Sequence, residues 1–166
     1  MSLYYLDASA LVKQYVQEPG STWIRQLIDR VNPDEEQVNV VFISEVNIVK
    51  VAAALAILAR TNKISLRDRN IAYQRFMHDT AHLYQLVSIE TGDFHSAAYL
   101  TQRHPLKAYD AVQLAVALRH HQAMTRRDLD LTFVSGDRQQ LEAAAAAGLA
   151  TDNPFNHASP SDSPTP

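Results

Sequence analysis

Short apolar runs, several of them rich in β-branched residues, alternate along this chain with longer stretches of helical periodicity. That alternation restricts the fold more than any other feature, because strand, helix, strand is the βαβ unit of a parallel sheet. Residues 3–6 read as a first strand and 9–16 as a short helix stopped at Pro19-Gly20. Ser21 can cap a second helix reaching residue 30. Residues 38–43 form the second strand, and Ser44 caps a helix over 45–60. Ser65 and Asp68 resemble a capping box opening a helix in which Leu66, Tyr73, Phe76, Met77, Leu83 and Tyr84 recur at helical spacing. Residues 85–89 make a third strand, and helices over 92–103 and 108–121 are divided near Pro105. A fourth strand at 131–134, a helix over 138–147 ended by Gly148 and a short strand at 149–151 complete the pattern. From Phe155 the chain is Ser, Pro and Asp with little to bury, so residues 1–154 are expected to be the domain and 155–166 a disordered tail.

With 166 residues, 46% apolar and 20% charged, the chain suits one globular domain with a real core. It has no cysteine, which removes disulfide scaffolds, thiolate zinc sites and cysteine nucleophiles together. The N-terminus has no basic region and meets Asp7 at once, unlike a secretory signal. The longest apolar stretch, residues 46–59, holds Asn47 and Lys50 and is too short to span a bilayer, so a soluble cytoplasmic protein with no membrane partner is expected. A net charge of −3 argues against gripping nucleic acid by bulk electrostatics. Basic residues do gather locally, as at Arg60, Lys63, Arg67, Arg69 and Arg75, although solvated helix surface is the better explanation of any one such group.

The acids fall where ligands sit in open parallel sheets, outside the carboxyl ends of strands. Asp7 directly follows the first strand, Glu45 the second, and Asp137 the fourth across a Ser135-Gly136 turn. Hydrolysis of a phosphodiester needs an activated water and a positive charge beside the phosphate, which carboxylates converging on Mg²⁺ or Mn²⁺ supply. Each acid also has a local structural explanation. Asp7 could cap the helix near Ser9, Asp137 with Gln140 fits a capping box, and Asp110 suits the first turn of its helix by the helix dipole.

Three motifs resemble those of PIN domains, in particular the VapC-type toxins. They are Leu3-Tyr4-Tyr5-Leu6-Asp7-Ala8-Ser9, Tyr109-Asp110-Ala111-Val112-Gln113-Leu114-Ala115 and Phe133-Val134-Ser135-Gly136-Asp137. The likeness covers about residues 3–154 and extends to Thr151-Asp152-Asn153-Pro154. It implies a three-layer α/β/α sandwich around a mainly parallel sheet, and a Mg²⁺- or Mn²⁺-dependent endoribonuclease. Asp7, Asp110 and Asp137 would be its acidic residues, with Asp7 and Asp110 holding the metal and Ser9 beside the first. RNA as substrate, an antitoxin protein as partner and a homodimer are further expectations of the resemblance.

One position departs from it. The family's remaining acid belongs on the helix after the second strand, where this chain has Lys50. Glu45 lies about 140° of helical rotation away and does not replace it. Lys50 is the only charge between Val46 and Ala59, in a helix apolar nearly all round and hence expected to be buried, and Asn47 shares its face. Its ammonium is expected to pair with Asp7 or Asp110 and to stand in part for the metal, unless it reaches solvent along its own stem. A scaffold that binds RNA or a protein without cutting is therefore the alternative function. Other α/β enzymes fit less well. A haloacid-dehalogenase-like phosphatase would need Asp in place of Ser9, and a receiver domain would need paired acids and a late lysine. Four glycines, at 20, 92, 136 and 148, leave no GxGxxG for a dinucleotide.

Overall fold

The structure is a computed structural model and describes residues 2–29 and 38–162. Its centre is a five-stranded sheet of β1 (Ser2–Leu6), β2 (Asn39–Ser44), β3 (Gln85–Val87), β4 (Leu131–Val134) and β5 (Ala150–Asp152) in the order β3-β2-β1-β4-β5. Every adjacent pair is parallel. The helices are α1 (Ala8–Tyr15), α2 (Ser21–Ile28), α3 (Val46–Arg60), α4 (Leu66–His82), α5 (Thr91–Arg103), α6 (Ala108–Thr125) and α7 (Arg138–Ala146). The parallel sheet expected from the strand–helix alternation forms, and so does the α/β sandwich implied by the resemblance.

Alternation along the strands makes the layers, because successive side chains leave opposite faces. Leu3 and Tyr5 of β1 join Leu131 and Phe133 of β4 in one core beneath α5, α6 and α7. Leu6, Val41, Ile43 and Val134 point the other way, against Leu11, Ile24, Leu55 and Phe76 of α1, α2, α3 and α4. Tyr5 and Phe133 are register partners, and their rings stack with centroids 5.7 Å apart. A sheet covered on both faces needs strands with few polar residues, and Leu3-Tyr4-Tyr5-Leu6 meets that need.

Two expectations change. Helix α3 buries Val46, Asn47, Val51, Leu55 and Ala59 but leaves Val49 and Ile57 more than half exposed, so its all-round apolar surface is not a buried one. Residues 155–162 fall within the stretch expected to be a disordered tail. With Pro154 they form two 3₁₀ turns, Pro154–His157 and Pro160–Asp162, packed on the start of α2. Ser21 is the first residue of α2 rather than its cap. The cap position is Gly20, at φ 89°, where a Cβ would lie 2.4 Å from the Pro154 carbonyl oxygen. The Asp162 carboxylate supplies the missing acceptor, taking the Gly20 and Thr22 amides at 2.8 Å each. Arg30, the expected end of α2, and the last four residues of the tail lie outside the described residues.

Candidate functional site

The chain leaves β1 in the middle of the sheet, builds outward to β3, and returns to β4 on the other side of β1. The carboxyl ends of β1 and β4 therefore flank the point where the winding reverses, the usual place for a crevice in such sheets. Asp7 stands at the first end and Ser135-Gly136-Asp137 at the second.

Asp7 is buried. Its Oδ1 accepts from the Ala10 amide at 3.0 Å, capping α1, and from the Ser9 hydroxyl at 2.6 Å. Ser9 Oγ in turn accepts from the Gly136 amide at 2.7 Å, joining the two strand ends. A Cβ at Gly136 would meet Ser9 Oγ at 3.2 Å and the Phe155 ring at 3.1 Å, so this turn has room only for glycine without adjustment. Burial pushes the Asp7 carboxyl above its ordinary range. The nearby Lys50 charge, the Ser9 hydroxyl, the Ala10 amide and Ser135 work against that shift without reversing it.

Helices α3 and α6 bring the other side of the cleft together through two polar rungs at matching i, i+3 spacing. In the inner rung, Gln113 Nε2 donates to Asn47 Oδ1, and Asn47 Nδ2 donates to the Leu6 carbonyl at 2.9 Å. All three groups are buried, and the rung ties α3 to the residue before Asp7. In the outer rung the Lys50 ammonium donates to Asp110 Oδ1 as an ion pair, with each side chain less than a fifth exposed. Lys50 thus turns toward a carboxylate of α6 and not out to solvent.

The structure brings together Asp7, Ser9, Asn47, Lys50 and Asp110. Asp137 is used differently. Its Oδ1 accepts from the Gln139 and Gln140 amides at 2.8 and 3.3 Å and caps α7. Among the described residues Asp137 makes no hydrogen bond or ion pair with Asp7 or Asp110. Glu45 turns away to accept from the Ile89 amide at 3.0 Å. Gln113 and Ser135 escaped sequence reasoning. A glutamine inside the apolar stripe of α6, three residues after Asp110, was the signal for the first. Ser135 is buried, accepts from the Asp137 amide at 2.9 Å and lies 3.4 Å from Ser9 Oγ.

Comparisons with known proteins give the family and the fold. The PIN domain model matches residues 4–146, and the chain belongs to the PIN domain family. FitAcB from Neisseria gonorrhoeae is similar in fold, with TM-score 0.60 at 17% identity over 92% of this chain and 98% of that one. VapC20 of Mycobacterium tuberculosis, described as a sarcin–ricin loop cleaving toxin, gives 0.57 at 14% over 89% and 96%. A toxin–antitoxin complex from Klebsiella pneumoniae gives 0.52 at 15% over 93% and 98%. A comparison with curated protein sequences finds no match.

PIN domains generally use divalent metal ions. The cleft as folded does not fit one. Asp110 Oδ1 is taken up by an ammonium, Asp137 Oδ1 caps its own helix, and Asp7 is buried with Oδ1 bonded to its own turn. Among the described residues no group of three or more acidic or histidine side chains is arranged to hold an ion.

Proposed function

We propose that this chain is an endoribonuclease of the PIN toxin type, acting on RNA phosphodiester bonds in the cleft between Asp7 and Asp110. The observation that carries the reading is the convergence of Asp7, Lys50 and Asp110 at the winding reversal of a PIN sheet. A carboxyl whose proton affinity is raised by burial is a stronger base toward water than an exposed one. Lys50 is the positive charge in the cleft that can face a phosphate oxygen. The family's divalent-metal chemistry would require this lysine to release Asp110.

A second reading is favoured by the Lys50–Asp110 pair itself: a PIN scaffold that binds RNA or a partner protein without cutting. Incubating a mixed RNA substrate with wild type and with Asp7→Asn, in Mn²⁺, separates the two. Cleavage by wild type that falls at least ~100-fold in the variant supports the nuclease. No cleavage by either protein supports the scaffold.

Partners follow from the same likeness. An antitoxin protein and a second copy of the chain are the proposed companions, acting in the cytoplasm. Val49 and Ile57, exposed two turns apart on α3, offer apolar surface for one of them. No described helix is long and apolar enough to cross a membrane.

A further inference from the structure

We propose that Lys50 is a built-in counter-ion that takes the place of the divalent cation, so that this cleft excludes Mg²⁺ and Mn²⁺ which the same fold without the lysine would bind. Hard cations are held by unshared carboxylate oxygens. Here the carboxylate facing the cleft from α6 is shared with an ammonium carried on α3. The ammonium also sits close enough to Asp7 to oppose the effect of burial on that carboxyl. A cation entering between Asp7 and Asp110 would meet an Asp110 oxygen already paired, together with the repulsion of a fixed positive charge.

Lys50 is poorly placed to move aside. Asn47, one turn earlier on the same face of α3, is bonded both to the Leu6 carbonyl and to Gln113, which lies one turn after Asp110 on α6. The inner rung holds the two helices in the register that the outer rung uses. Side-chain exposures of 18% and 17% leave the pair largely shielded from solvent, where an ion pair is screened least. The acid that could have supplied a replacement ligand from the same helix, Glu45, is engaged with the Ile89 amide.

The inference concerns the cleft of the proposed nuclease but does not depend on cleavage, and its test reads cation binding directly. Mn²⁺ is titrated into the full chain by calorimetry, with thermal stability followed in parallel, for wild type, Lys50→Met and Lys50→Glu. Met keeps the length and helix preference of the lysine stem without its charge. Wild type is expected to show no saturable binding at millimolar Mn²⁺ and no rise in Tm. Lys50→Met is expected to bind at least ~100-fold more tightly, since a fixed charge a few ångströms from the ion is removed, and to gain Tm in proportion to ligand. Lys50→Glu should bind more tightly still. Micromolar Mn²⁺ binding by wild type would overturn the proposal whatever the variants do. So would a folded Lys50→Met that binds no better than wild type. Failure to cut RNA, by contrast, bears on the proposed activity alone.

Discussion

Asp7 serves two ends that pull in opposite directions, since it caps α1 and also carries a charge into a site with almost no solvent. Its carboxyl binds a proton more tightly in the folded chain than in the unfolded one, first because of burial. A group of that kind costs stability at neutral pH, and the cost disappears as the pH falls through its folded value toward the ordinary value of about 3.9. Asp7→Asn keeps the shape and the cap acceptor without the charge. It is expected to raise Tm at pH 7 by an amount that shrinks under acid conditions, measured by calorimetry across pH. A lower Tm at pH 7 would mean that the ionised carboxylate's hydrogen bonds outweigh its burial. Arg119 is a contrasting case in which the acid is fully matched. Asp93 is buried, yet the guanidinium grips both its oxygens at 2.9 Å and the Glu90 amide adds a third bond, so its pKa is lowered despite the opposing effect of burial.

Among the elements, α2 depends most on residues far from it in sequence. Its N-terminus has no side-chain cap of its own, and the acceptor arrives from residue 162. Around that contact the His157 ring stacks on Trp23 at 4.1 Å, and Phe155 lies 4.0 Å from the buried Lys13 ammonium, which is also paired with Glu18. Burial alone would raise the Asp162 carboxyl, but bonds from the Ser159, Thr22 and Gly20 amides and the Thr22 hydroxyl hold it far below the usual range. Its contribution is therefore present above about pH 4 and lost as the pH falls through the folded value. Asp162→Ala is expected to cost ~1–2 kcal/mol at pH 7, the worth of a lost helix cap. Urea unfolding should show that difference closing in acid. An undiminished difference at low pH would point to packing in place of the charge.

At the scale of the molecule, two apolar cores share one sheet and neither is closed without it. They should therefore be lost together. Phe76 of α4 fills one core and Phe133 of β4 the other, both fully buried. Truncating either to Ala is expected to cost ~3–5 kcal/mol. Each variant should still give one urea transition, coincident by far-UV circular dichroism and by fluorescence of Trp23, the only tryptophan. Separate transitions for the two probes in Phe133→Ala would show that the α1–α4 side stands independently.

The strand–helix alternation, the β-branched strands and the acids at strand ends are local features, and they were legible because period and turn chemistry follow from neighbouring residues. They determined the parallel α/β layers, nearly every element and the candidacy of Asp7, whereas Asp110 was marked by the likeness of its motif to PIN domains and Lys50 by its lone charge in an apolar helix. Contacts between distant residues were decided only by tertiary structure. Periodicity marked Lys50 as anomalous but left Asp7 and Asp110 equally eligible as its partner; the packing of α3 on α6 chose Asp110. Gln113 is one residue in an apolar stripe until Asn47 arrives from α3, 66 positions away. Residues 155–162 bury little of themselves, and their order comes from the uncapped end of α2. Whether an acid is a ligand, a cap or half of an ion pair depends on which group of opposite character lies within about 3 Å, and that is set by how the helices pack on the sheet.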